Sequence, residues 1–127
     1  METGIKGSES ILVDDTNTAQ TIGSGTLQVF ATPAMIALIE HTAWTSVEKV
    51  LEDGCGTVGT RLDITHEAPT PLGMRVTCES ELVKIDGRKL VFDVKVYDEQ
   101  GLIGQGTHER FIVDNDKFQK KANKKSS

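Results

Sequence analysis

The chain has no apolar run near the ~18 residues that a membrane-spanning helix requires, and its first ten residues, METGIKGSES, lack the apolar centre of a secretory signal. A cytoplasmic protein is the expectation. It holds two cysteines, Cys55 and Cys78, with 22 residues between them, a spacing that fits neither a zinc site nor a redox pair. Three histidines without clustered Cys or Asp ligands argue against a metal, and His108-Glu109 has no second histidine at the spacing a zinc protease helix uses. Also missing are a G-x-S-x-G elbow, a P-loop, a dinucleotide fingerprint and any internal repeat. A net charge of −5 excludes a general nucleic-acid binder or an anionic-membrane binder.

What is present is an ordinary globular composition, 37% hydrophobic and 26% charged over 127 residues, enough for one domain with a core of its own. SILVDDT near the start reads as a strand, and the Thr/Gly/Ser-rich NTAQTIGSGTLQVF after it as a long loop. Thr32-Pro33 opens a helix, with Thr as N-cap and Pro in the first turn, and Gly54 supplies a stop, so one long helix is predicted at about 33–52. From Gly56 the period changes to that of strands. TVGTRLDITHEA, GMRVTCESELVKI, RKLVFDVKVYDE and GLIGQGTHERFIVD are separated by turn residues, with Asp86-Gly87 a hairpin signal.

Leu90, Phe92, Val94 and Val96 alternate with Val91, Asp93, Lys95 and Tyr97, as in a sheet buried on one face. One mostly apolar helix is available to cover it. The expected architecture is therefore α+β: a curved antiparallel sheet of about five strands wrapped around one long central helix, the hotdog fold, in a single domain spanning 1–127. The lysine-rich end, NDKFQKKANKKSS, shows no apolar periodicity and reads as a loose basic tail over about 115–127. An unpaired edge strand on such a sheet calls for a homodimer or higher homo-oligomer.

Within the helix, FATPAMIALIEHTAW runs apolar from Pro33 to Ile39 and then presents Glu40. A carboxylate there needs a partner, a proton or water. His66, at a strand end in DITHEAPTPLGM, offers a proton donor and acceptor, and Thr32 sits where backbone N–H groups and the positive end of the helix dipole converge. Eight residues separate Thr32 from Glu40, roughly 12 Å of helix at ~1.5 Å per residue, so the two do not touch within one chain. Either substrate and His66 span the gap, or Glu40 comes from a second subunit.

Taken in order, FATPAMIALIEHTAW, GTVGTRLDITHEAPTPLGMRVT, GRKLVFDVKVYDEQGLIGQGTHERFIVD and KFQKK resemble the hotdog acyl-CoA thioesterases of the fluoroacetyl-CoA thioesterase type over about residues 29–118. The resemblance implies Thr32, Glu40 and His66 as catalytic residues, Gly59 beside the thioester carbonyl, Arg110 along the acyl or pantetheine region, and Phe30 as a further substrate contact. It implies hydrolysis of a short- or medium-chain acyl-CoA, with CoA as part of the substrate and no separate cofactor. Unlike the fluoroacetyl-specific enzyme, this chain has no aromatic lid residue in TIGSGTLQV. Two other readings stand beside hydrolysis: a 3-hydroxyacyl-thioester dehydratase or hydratase, which would not need Thr32, and a non-catalytic acyl-CoA binding module.

Overall fold

The computed structural model describes residues 1–126. Strands β1 (Lys6–Leu12), β2 (Cys55–His66), β3 (Arg75–Asp86), β4 (Lys89–Tyr97) and β5 (Leu102–Asp114) form one antiparallel sheet in the order β1-β3-β4-β5-β2. Helices α1 (Ala19–Ile22), α2 (Thr32–Val47) and α3 (Asn115–Asn123) complete the chain. The expected hotdog architecture is present, with α2 as the helix held in the curve of the sheet.

Packing follows the two periodicities. Met35, Leu38, Ile39, Thr42, Ala43 and Val47 bury one side of α2 at three- and four-residue steps, while Leu90, Phe92, Val94 and Val96 bury alternate positions of β4. Each large aliphatic or aromatic side chain so buried contributes ~1.5–3 kcal/mol relative to exposure. Two glycines let helix and sheet approach. A Cβ on Gly7 would lie 2.8 Å from the Ser46 Cβ and 2.9 Å from the Thr42 carbonyl oxygen, and one on Gly104 would lie 2.8 Å from the Met35 sulfur.

The β3–β4 hairpin turns on Gly87-Arg88, with Asp86 opposite Lys89 and φ of 60° at Gly87, the first central position that a type II′ turn gives to glycine. Several boundaries differ from expectation. Ala31, not Thr32, is the N-cap of α2, without a side-chain cap. The helix tightens into a 3₁₀ turn at Glu48–Val50 instead of running to about residue 52. The predicted long loop contains α1, capped by Thr18 and stopped by Gly23 in the left-handed region.

The basic C-terminal segment is also not an irregular tail. Asn115–Asn123 is helical, with the Asp114 carboxylate accepting from the Lys117 N–H at 3.1 Å. Strands β1 and β2 are the sheet edges. On β2 the inner-face residue Leu62, opposite fully buried His108, is itself 39% exposed, so α2 leaves this stretch of the edge uncovered.

Candidate active site

Because Ala31 takes the capping position, the Thr32 hydroxyl is not used to end the helix. It meets His66 instead: Thr32 Oγ1 and His66 Nδ1 are 2.7 Å apart. His66 is placed by the last pair of β2, opposite Gly104. Burial without a compensating charge lowers the His66 pKa below the ordinary 6.5, so the ring is neutral at neutral pH. Its other nitrogen, Nε2, is buried and has no partner among the described residues. Helix α2 begins its own ladder with Met35 N–H donating to the Ala31 carbonyl at 3.0 Å, which leaves the N–H groups of Thr32 and Ala34 without intrahelical acceptors beside the hydroxyl.

These groups border a cleft of about 280 Å³ whose lining includes Ala19, Ser24, Val29, Phe30, Thr32, His66 and Ala68. Phe30 is 1% exposed, so its ring belongs to the core beneath the cleft. A larger concavity of about 770 Å³ runs across β1, β3, β4 and β5 past Glu79, Asp93 and Lys95, and it contains neither Thr32 nor His66.

The second cluster lies eight residues further along α2. Glu40 does not reach His66 of its own chain; its Oε2 lies 3.5 Å from Arg110 Nη1, and its side chain is 39% exposed. Arg110 is 5% exposed and is fixed from beneath. Its Nε donates to Thr57 Oγ1 at 2.8 Å, its Nη2 to the Thr57 carbonyl at 3.0 Å, and its Nη1 to His108 Nε2 at 3.1 Å. His108 Nδ1–H donates to the Arg61 carbonyl at 2.8 Å. That bond fixes the tautomer whose Nε2 accepts from Arg110. Burial, and secondarily the Arg110 charge, lowers the His108 pKa, and burial likewise lowers that of Arg110 while Glu40 opposes the shift.

Gly59 sits against this cluster: a Cβ there would overlap the Glu40 carboxylate and stand 3.3 Å from Arg110 Nη1. The six sequence candidates thus fall into two groups. Thr32, His66 and Phe30 meet at the α2 N-terminus, and Glu40, Gly59 and Arg110 meet eight residues along it. His108 and Thr57 had not been singled out, although they hold Arg110. Among the described residues no group of three His, Cys, Asp or Glu side chains is placed to hold a metal ion.

The profile of the fluoroacetyl-CoA-specific thioesterase family matches residues 13–116. A fluoroacetyl-CoA thioesterase from Streptantibioticus cattleyicolor is 39% identical over 99 residues, 78% of this chain and 71% of that one. A solved structure of the fluoroacetyl-CoA thioesterase superposes with a TM-score of 0.93 at 33% identity, over 98% of this chain and 97% of that chain. A variant of that enzyme in complex with acetyl-CoA superposes with a TM-score of 0.94 at 32% identity over the whole of both chains.

Proposed function

The chain belongs to the fluoroacetyl-CoA-specific thioesterase family, and we propose that it hydrolyses short- or medium-chain acyl-CoA thioesters at a site built from Thr32 and His66 of one subunit and Glu40 of another. The Thr32–His66 hydrogen bond carries the reading. Thr32 Oγ1 attacks the thioester carbonyl carbon as its proton passes to His66 Nδ1. The tetrahedral intermediate then collapses with loss of the C–S bond, and His66 returns the proton to the departing CoA sulfur. Water, deprotonated by the same ring, cleaves the acyl-threonine. The free N–H groups of the first α2 turn would donate to the developing oxyanion. CoA arrives as part of the substrate, and no separate cofactor takes part.

A neutral His66 that accepts at Nδ1 carries its proton on Nε2, and a buried N–H left without an acceptor costs ~1–3 kcal/mol. Within one chain Nε2 has no partner. Antiparallel pairing of two β2 edges about Leu62 and Asp63 would set Gly59 of each subunit opposite His66 of the other, bringing the partner subunit's Glu40 to that nitrogen. The same pairing would cover exposed Leu62 and leave no open β2 edge. Within each subunit the Glu40 carboxylate lies against Gly59, where a side chain would displace it.

Around the Thr32 cleft of one subunit, Ala19, Ser24 and Val29 supply no aromatic contact that would single out fluoroacetyl. We place the reaction in the cytoplasm, where free thiols such as Cys55 and Cys78 persist. The test is release of CoA thiol from a panel running from acetyl- to decanoyl-CoA. Thiol should be released from short or medium members of the panel, and turnover should fall by about 10²-fold or more in Thr32→Ala. No thiol release across the panel refutes hydrolysis, and undiminished turnover in Thr32→Ala refutes the role given to Thr32.

A further inference from the structure

Charge is divided unevenly along this chain. Residues 115–127 hold five lysines and one aspartate, a net +4 in a protein of net −5, so the remainder carries −9. A body of that charge repels an acyl-CoA, whose diphosphate and 3′-phosphate make it strongly anionic. The lysines are not scattered. Lys120 and Lys121 lie three and four residues after Lys117, and Lys124 lies four and three residues after them, which gathers the four on one broad side of α3 and its 3₁₀ extension. Like charges in that spacing oppose helix formation unless they are neutralised. Among the described residues no carboxylate lies within ion-pair distance of the ammonium groups of Lys117, Lys120 and Lys121.

We propose that this lysine row is the landing site for the phosphates of CoA, offered by one subunit to the active site of the other. The inference rests on the hydrolytic, paired-subunit reading above. Helix α3 leaves the sheet beside the start of β2, where Asn115 N–H donates to the Gly54 carbonyl at 2.9 Å. His66 of the same chain is at the far end of β2, about 36 Å away at ~3.3 Å per residue, beyond the reach of one pantetheine arm. In the antiparallel pairing, the partner's Gly59 stands opposite His66. The partner's Cys55 is then only four residues further, about 13 Å along the strand, with α3 of that subunit adjoining it. A thioester seated at Thr32 would thus extend its pantetheine arm towards the partner's lysines.

The test compares the full chain with Lys117→Gln/Lys120→Gln/Lys121→Gln, substitutions that keep helix propensity while removing charge. Calorimetric affinities for CoA and for pantetheine, and turnover of acetyl-CoA and acetyl-pantetheine, are measured at low and high salt. The triple variant should bind CoA about 10-fold more weakly at low salt and raise KM for acetyl-CoA by a similar factor with kcat unchanged. Pantetheine affinity and acetyl-pantetheine turnover should not move, and high salt should erase the difference between the proteins. Unchanged CoA affinity at low salt, or equal losses with CoA and pantetheine, overturns the proposal. If CoA binding depends on the lysines while neither thioester is hydrolysed, the phosphate site stands and the hydrolytic reading falls.

Discussion

Gly59→Ala isolates the placement of one carboxylate. The backbone at Gly59 lies outside the left-handed region, so alanine fits the strand, but its Cβ would overlap Glu40 Oε2 and approach Arg110 Nη1 to 3.3 Å and His108 Cε1 to 3.4 Å. Arg110 and His108 are held by buried hydrogen bonds, whereas Glu40 is the end of a flexible, partly exposed side chain. Glu40 is therefore the group that moves. Loss of its 3.5 Å contact to Arg110 costs at most ~1 kcal/mol at that exposure, and alanine in a strand regains ~0.5–1 kcal/mol relative to glycine. Stability should be nearly unchanged, with Tm within about 3 °C of wild type.

Turnover should respond quite differently. A carboxylate displaced by about 1 Å from its working position costs on the order of 10²-fold in kcat. Thiol release from acetyl-CoA measures it, alongside Glu40→Gln and the double variant. If Gly59 acts through Glu40, the double variant should be no slower than Glu40→Gln alone. A Gly59→Ala protein with wild-type kcat, or losses that multiply in the double variant, would refute the reasoning.

Arg110→Met removes the donor to the Thr57 carbonyl and to His108 Nε2, leaving buried acceptors unpaired. It should lower stability by about 3 kcal/mol and Tm by about 10 °C. A denaturant midpoint within error of wild type would show that the network is not structural. His66 acts as a base in its neutral form, so kcat/KM should be full above its pKa and fall as pH drops through it. Burial lowers that pKa, the partner subunit's Glu40 carboxylate at Nε2 would raise it, and in Glu40→Gln the inflection should therefore move to lower pH. An inflection that does not move in Glu40→Gln contradicts the pairing of that carboxylate with His66. His108 is also neutral in the folded protein at pH values where the unfolded chain is protonated, so urea denaturation should show stability falling as pH drops below 6.5.

Much of this was legible from residue order. The alternation Leu90, Phe92, Val94, Val96 gave the inner face of β4, and the apolar run after Pro33 gave the central helix, because both elements obey their periodicity without competition. The pattern misleads where chemistry displaces packing. On β5 the inner positions are His108 and Arg110 while Phe111 faces outwards, because Arg110 and its anchors lie beneath Glu40.

Thr32 looked like a cap since its type and position suit one. That the backbone of Ala31 takes the role, freeing the hydroxyl for His66, depends on a strand 34 residues away. Helix α3 lacks apolar periodicity, and its signals were the Asp114 cap and the lysine spacing. No side chain among the described residues of one subunit completes His66 Nε2, and in the proposed pairing its partner comes from a second chain, which the order of residues does not display.

Subunit complementation tests that last point most directly. Thr32→Ala and Glu40→Gln proteins, each nearly inactive, are unfolded together, refolded in equal amounts and assayed for CoA thiol release. If Glu40 works in the partner's site, half of the dimers are mixed and each contains one intact site, so activity should return to about one quarter of the wild-type value. If activity does not rise above the mean of the two parent proteins although mixed dimers have formed, Glu40 does not serve the other subunit, and the shared site proposed for this enzyme is wrong.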